Sequence, residues 1–437
     1  MIMKYYLAID IGASSGRHIV GYERDGEIIT DEIYRFPNGM DEQDGHLVWN
    51  VERLLEEVIV GIKECFAKYP KIESLSIDTW GVDYVLMHED EEILPVYAYR
   101  DSRMDEVIDE VHSLIPFAEL YDHTGIQFNK FNSIYQLYVD KKWGRLDGAT
   151  DFLMMPEYLM YKLTGVKLKE YTNATTSGLV NTATGRFDRK IWSCLGLPTA
   201  LDSNLSAPGT LVGKLKSDIA KRVGGDLDVV LCATHDTASA VEAITMTSNA
   251  PYISSGTWSL LGVKTVSALT DEKSRESGYS NEGGVGYNRY QMNITGMWII
   301  QSLRSELCPD MPYGDIAKMA EQSAYTETFN VNDDRFSAPK SMKEAIDSAL
   351  REAGKPLPEA DGDYFNSAYV SIGKCYGEAI RDLEANTGNL YNDIYIVGGG
   401  AKNGYLNKIT EQYTGKHVVA LPIEATAIGN LKIQMKR

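Results

Sequence analysis

Cysteine is scarce in this chain and poorly arranged for cross-linking. Five stand among 437 residues, at Cys65, Cys194, Cys232, Cys308 and Cys375, with no C-x-x-C pair. The odd count argues against a disulfide framework and predicts reduced thiols in a cytoplasmic setting. The seven histidines show no metal spacing, and H-E-x-x-H does not occur. No apolar run reaches the roughly 18 residues of a membrane span, so none is expected. The apolar stretch between Met1 and Asp10 is too short for a secretory signal and lacks a cleavage site. Positive charge is also in short supply. Lys and Arg number 43 against 62 Asp and Glu, a formal net charge of -19. Such a surface is a poor partner for nucleic acid and repels free nucleotide at long range. A phosphate site here must be built locally, from backbone amides, a few cations and a metal ion.

What the chain does have is length and apolar content for two cores, with 43% hydrophobic residues. "KYYLAIDIG" reads as a buried strand ending at Gly12, followed by a second strand "RHIVGYE". Asp25-Gly26 is a hairpin signal before a third strand, "EIITDEIYRF". Val51, Leu54, Leu55, Val58 and Ile62 form a helical stripe that predicts a helix over about 49–69. Further on, "APYISSGTWSLLGVK" repeats the opening strand-turn-strand plan, and "NDIYIVGGGAKNGYLNKITEQYTG" reads as strand, glycine loop and helix. The plan predicts two related α/β halves, 1–244 and 245–437, meeting near Ala243 to Asn249 without a Pro- or Ser-rich linker.

Five short motifs carry possible chemistry. In "DIGASSGR", Asp10 ends a strand, where a carboxylate can hold Mg²⁺. Gly12 and Gly16 allow a tight turn whose amides face a phosphate, with Ser14, Ser15 and Arg17 as further donors; a plain hairpin turn is the alternative. In "THDTASA", Asp236 sits where a strand gives way to a helix and can accept a proton from an attacking hydroxyl, although it can equally cap the helix. In "SSGTWSL", Gly256 and Thr257 form a second candidate phosphate turn. In "VGGGAKN", three glycines let a ring or a phosphate approach the backbone. In "EATAIGN", Ala425, Ala427 and Gly429 give a small helix face, matched by Ala238, Ser239 and Ala240, and two such faces can cross closely. On that last helix Ile428, Leu431 and Met435 share a face, which predicts packing onto the second half.

The order of these motifs resembles the duplicated ATPase core of actin, hexokinase and the Hsp70 chaperones. Within that group the whole chain resembles the FGGY carbohydrate kinases, through "IDIGASSGR", "IDTWGVDYVL", "AYRDSR", "THDTASA", "SSGTWSL", "EGGVGYNRYQMNITGMWIIQ" and "VGGGAKN". Members acting on glycerol or xylulose usually carry Thr where Ala13 stands. "DTWGVD" with "ASSGR" points to the branch acting on L-rhamnulose, with L-fuculose as the alternative substrate. The resemblance implies an α/β fold of two actin-like (ribonuclease H-like) domains with an interdomain cleft. It implies phosphoryl transfer from ATP to a ketose, with L-rhamnulose 1-phosphate as product. Ala13, Ser14, Ser15, Gly16 and Arg17 would bind the ATP phosphates and Asp10 would serve Mg²⁺. Gly81, His235, Asp236, Thr237 and Asn293 would meet the sugar, with Asp236 as proton acceptor. Thr257, Gln301 and Gly400 would complete the nucleotide site. The sequence leaves the oligomeric state open.

Overall fold

A computed structural model describes residues 3–246, 249–421 and 424–437. Thr247 and Ser248, inside the expected joint between halves, lie outside the described residues, as do Met1 and Ile2 at the start of the first strand's apolar run. The chain forms two compact units that do not follow its order strictly. The first comprises Met1–Ala243, Thr265–Arg289 and Ala425–Arg437; the second comprises Ile244–Lys264 and Tyr290–Glu424.

The first unit opens with a meander, β1 (Tyr6–Ile11), β2 (Ser15–Arg24) and β3 (Glu27–Pro37). Asp25 and Gly26 both take positive φ, 56° and 82°, the backbone that a two-residue hairpin turn requires. Helix α1 (Val51–Lys68) is capped by Asn50, whose side chain accepts from the Arg53 amide, and it buries Val51, Leu54, Val58 and Ile62 as the stripe predicts. Strand β4 (Ser74–Thr79) then lies parallel to β1, and β5 (Leu211–Lys214) and β6 (Asp228–Val230) complete a sheet of order β5-β6-β4-β1-β2-β3. Leu7, Ile9, Ile11, Leu75 and Ile77 are fully buried in one core with α1. Helix α2 (Asp236–Ala243) follows β6.

The second unit repeats this plan. Strands β7 (Tyr252–Ser255) and β8 (Trp258–Thr265) are an antiparallel pair, and β9 (Asn288–Thr295) leads into helix α3 (Met297–Leu307). After the 27-residue helix α4 (Asp361–Thr387), which ends on left-handed Gly388, come β10 (Asp393–Val397), helix α5 (Gly404–Thr414) and β11 (His417–Leu421). The strands run β9-β8-β7-β10-β11, which matches β3-β2-β1-β4-β6 position for position. Both sheets thus place a tight turn after their first strand and a parallel strand beside it.

The last helix, α6 (Ala425–Met435), corrects one expectation. It packs on the first unit: Ala427 and Leu431 join Ala8 and Ile19 in one cluster, with Met435 at its margin. The reason is polar. Gln434 donates to the Leu7 carbonyl (3.0 Å) and accepts from Ser74 Oγ (2.6 Å), and Asn430 donates to the Ser76 carbonyl (3.3 Å). Both side chains are buried, and their partners here lie on β1 and β4. The crossing of small faces occurs as the sequence predicts, with α6 lying against α2. Among the described residues no helix is long and apolar enough to cross a membrane, and the five cysteines are free.

A Cβ at Gly429 would stand 1.7 Å from the Ser239 carbonyl oxygen, a backbone atom that cannot swing away. Helix propensity alone favours Gly429→Ala by about 1 kcal/mol. We expect the opposite sign, a loss of about 1–3 kcal/mol in urea unfolding, from forced separation of the two helices. An unchanged or raised midpoint would show that the crossing is loose.

Candidate active site

Asp10 lies between two ionisable neighbours because of strand register. It faces Arg17 across the β1–β2 pair and Asp78 across the β1–β4 pair. Arg17 Nη2 donates to Asp10 Oδ2 at 2.5 Å. Asp78 is fully buried; Asn430 donates to its Oδ2 at 2.6 Å, and its Oδ1 has no hydrogen-bond partner among the described residues. Burial and then the charge of Asp10 push the Asp78 carboxyl well above the ordinary carboxylate range, with Asp236 adding to the rise and the Asn430 bond opposing it. Asp10, Asp78, Asp236 and Arg17 therefore form one electrostatic cluster. Asp78 is not among the residues the motifs single out, yet "SIDT" sets an acid near a strand end just as "AIDI" does.

The turn after β1 is closed by Gly12 N–H donating to the Ser15 carbonyl (2.9 Å), and Asn38 takes up the carbonyls of Gly12 and Ser14 through its side chain and backbone N–H (both 2.9 Å). With those oxygens engaged, the turn suits an anion met through N–H groups. Gly16 has a further reason to be glycine: a Cβ there would fall 2.1 Å from Cζ of Phe36.

Gly81 belongs to a strained turn. The Asp83 amide donates back to the Gly81 carbonyl (2.9 Å), and Val82 between them has φ 68°. This is a γ-turn of the rarer hand, costly for a β-branched residue. It persists because its surroundings hold it. Thr176 Oγ1 accepts from Val82 N–H (3.0 Å), while Ser133 Oγ (2.5 Å) and Gln136 Nε2 (3.2 Å) donate to the Val82 carbonyl. Asp83 anchors the far end, accepting from the indoles of Trp49 (2.6 Å) and Trp80 (2.9 Å) and from the Tyr99 amide (3.2 Å). Strain stored in this way is a recurrent feature of ligand-contacting backbone.

His235 and Asp236 follow Thr234, whose carbonyl accepts the Thr79 amide at 2.9 Å. Asp236 is the first residue of α2, half-buried, and accepts from its neighbour Thr237 Oγ1 at 3.0 Å. His235 Nε2 stands 3.5 Å from Asp236 Oδ1, and its Nδ1 meets Arg289 Nη2 (3.0 Å) and Glu282 Oε2 (3.2 Å). Arg289 is fully buried and also donates to Glu282 (2.8 Å) and to the Gly283 carbonyl (2.9 Å). Glu282 and Arg289 carry no local signal in the sequence; 54 residues separate Arg289 from His235, and no local spacing announces the contact.

In the second unit the β7–β8 turn and the triple-glycine loop adjoin each other. Gly398 and Gly400 pack on Ser255: a Cβ on Gly400 would lie 1.9 Å from Ser255 Oγ. The α3 amides of Met297 and Trp298 donate to the carbonyls of Gly256 and Thr257 (both 3.1 Å). Thr257 and Asn293 are exposed, the latter on β9, and Gln301 is half-buried on α3.

A sheet of this order built twice, each with a turn after its first strand, is the actin-like two-domain plan that the sugar kinases share. The chain belongs to the FGGY family of carbohydrate kinases, matching its N-terminal domain over residues 5–242 and its C-terminal domain over 251–436. It is 39% identical over 433 residues to the rhamnulokinase of Oceanobacillus iheyensis, covering 98% of this chain and 92% of that one. It is 40% identical over 436 residues to the rhamnulokinase of Halalkalibacterium halodurans, covering 99% and 93%. Among solved structures, a ligand-bound xylulose kinase from Lactobacillus acidophilus has a TM-score of 0.85 at 15% identity, over 99% of this chain and 89% of that one. Plasmodium falciparum glycerol kinase with ADP has a TM-score of 0.77 at 13% identity, over 99% and 89%. These two share the fold.

The strained turn yields a pH prediction. Burial lifts the Asp83 carboxyl from 3.8 to about 6, against the lowering effect of its hydrogen bonds from Trp49, Trp80, Gln136 and Tyr99. A folded-state pKa above the unfolded one means that the native form binds the proton more tightly. Stability from this group is complete below pH 3.8 and is lost as pH rises through about 6. The loss is at most about 3 kcal/mol. Urea titrations from pH 4 to 7 should show a shallower fall for Asp83→Asn than for the unsubstituted protein. Equal slopes would mean that Asp83 titrates normally.

Proposed function

We propose that the chain transfers the γ-phosphate of ATP to the C1 hydroxyl of L-rhamnulose, giving L-rhamnulose 1-phosphate and ADP. The observation that carries this reading is the near full-length identity of 39–40% to rhamnulokinases, against 13–15% to the xylulose and glycerol kinases of the same fold. We read the first unit, residues 1–243 with 265–289 and 425–437, as the sugar and phosphate half and the second unit as the nucleotide half.

In this reading Asp236 accepts the proton of the attacking hydroxyl as its oxygen bonds to the γ-phosphorus and the bond to ADP breaks. His235, Thr237, Gly81 and Asn293 orient the sugar. The rigid γ-turn at Gly81–Val82 supports that role, since a fixed backbone positions a hydroxyl without entropy loss at the moment of reaction. The turn Ala13–Gly16 and Arg17 take the phosphates, and Thr257, Gln301 and Gly400 the rest of the nucleotide. The residues present fit Mg²⁺ arriving with ATP. No group of three or more ligating side chains forms a closed metal cage among the described residues, and magnesium typically takes one or two carboxylates together with water and phosphate oxygens. Asp10 would hold it, and the ion would neutralise charge on the phosphates. Free cysteines accord with a cytoplasmic location.

The test is coupled ADP release with L-rhamnulose, L-fuculose and D-xylulose, with and without EDTA. L-Rhamnulose should give the highest kcat/KM, and EDTA should abolish turnover until Mg²⁺ is restored. Asp236→Asn should lower kcat by about 10²–10⁴-fold while ATP still binds. ADP release that ignores the ketose, or wild-type turnover in Asp236→Asn, would contradict the reading.

A further inference from the structure

A short segment that no motif drew attention to, Glu170 to Thr176, is bonded to the Gly81–Val82 turn, to Thr234 before Asp236 and to the Gly283 backbone. Its centre is a helix of five residues, Tyr171–Thr175, capped by Glu170. The Glu170 carboxylate is fully buried. Its Oε1 accepts the Thr172 amide (2.8 Å). Its Oε2 accepts four donors: Thr172 Oγ1 (2.6 Å), the Asn173 amide (3.1 Å), the Thr234 amide (3.1 Å) and Thr234 Oγ1 (2.8 Å). Asn173 Nδ2 donates to the Thr234 carbonyl (3.2 Å), so all three polar groups of the fully buried Thr234 are tied, most of them to this segment. Thr176 receives the Val82 amide of the strained turn, and Thr175 Oγ1 receives the Gly283 amide (2.8 Å) beside Glu282, the partner of His235.

The chemistry of the cap is informative. A helix of this length needs its first amides satisfied, which a serine or threonine does without burying charge. A carboxylate removed from water is costly, and burial raises its pKa against the pull of its donors. Beyond the two helix amides it accepts three further donors, Thr172 Oγ1 and both donors of Thr234, two residues before Asp236.

We infer that Glu170 is a positioning residue for phosphoryl transfer: by holding Thr234 it sets the place of Asp236 relative to the attacking hydroxyl. The inference rests on the reading of Asp236 as proton acceptor. Glu170 touches neither sugar nor nucleotide in this account and acts only through the loop it clasps. Glutamine at this position keeps the volume but is neutral, and it faces the Thr172 amide or the cluster of four donors with an NH₂ group. The loop should then relax by a fraction of an ångström to an ångström, a displacement that can cost up to about 10²-fold in rate.

The test is a double-mutant cycle of Glu170→Gln with Asp236→Asn, read as kcat and as KM for ATP, with thermal melting as a check of folding. In the unsubstituted background Glu170→Gln should lower kcat by roughly 10–10²-fold and leave the ATP KM within about twofold. In the Asp236→Asn background it should change kcat by less than about twofold, because the group it positions is gone. An equal loss in both backgrounds would make Glu170 merely structural and overturn the inference, as would undiminished kcat in folded Glu170→Gln. If Glu170→Gln does not fold, Thr234→Val, which removes only the hydroxyl donor, is put through the same cycle and decides by the same criterion. A fully active Asp236→Asn would overturn the base assignment and this inference with it.

Discussion

The ion pair between Arg17 and Asp10 is the interaction on which the first unit's charge balance turns. Strand pairing brings Asp10 and Asp78 to adjacent positions, and Asp236 adds a third carboxylate to the same field. Three such charges in a chain already at -19 would repel one another and any phosphate. The arrangement resolves this in three ways. Arg17 neutralises Asp10 from across the β1–β2 hairpin. Asp78, sealed from water and bonded by Asn430, is driven towards its neutral form. Asp236 stays partly exposed, where water screens it from the other two. Gly429, next to Asn430, lets α6 approach the backbone of α2. Through Asn430, a helix near the end of the chain helps to fix the electrostatics at the end of its first strand.

Around this cluster the backbone is held in place by buried side-chain donors and acceptors and does not depend on regular structure. The Gly81–Val82 turn carries conformational strain that nothing in its own sequence relieves, and Thr176, Ser133 and Gln136 over-determine it from two other segments. The Thr234–Asp236 loop is tied in the same way by Glu170 and Asn173. Such polar networks contribute little net stability, since each bond replaces one to water. Their effect is geometric: a loop with every polar group satisfied has few other places to be.

Much of this was legible from local grammar. Alternating strands, the Asp25-Gly26 hairpin and the repeated strand-turn-strand plan gave the duplicated α/β fold, because each depends on residues a few positions apart. Asp10 and Asp236 stood out for the same reason, each at a strand end beside small residues. Asp78 stands at a similar strand end but was hidden inside an apolar run. Glu170, Glu282 and Arg289 could not be found this way, because their meaning lies in partners far along the chain; Glu170 and Thr234 are 64 residues apart. The terminal helix misled through its apolar stripe. Ile428 and Met435 are only partly buried, while Asn430 and Gln434 on the neighbouring face are buried and choose the strands it lies on. Gly16 and Gly400 were read as openings for phosphate, and each is also required by an aromatic ring or a serine packed against it.

The central claim is that this charge-balanced site moves a phosphoryl group to one particular hydroxyl of a ketose. L-Rhamnulose has a single primary alcohol, at C1, so phosphorus NMR of the product identifies the oxygen attacked. After incubation with ATP, Mg²⁺ and L-rhamnulose, the account predicts a new phosphomonoester signal split into a triplet by the two C1 protons, growing in step with ADP. A doublet, which marks attack by a secondary hydroxyl, or inorganic phosphate as the sole new phosphorus species beside ADP, would contradict it.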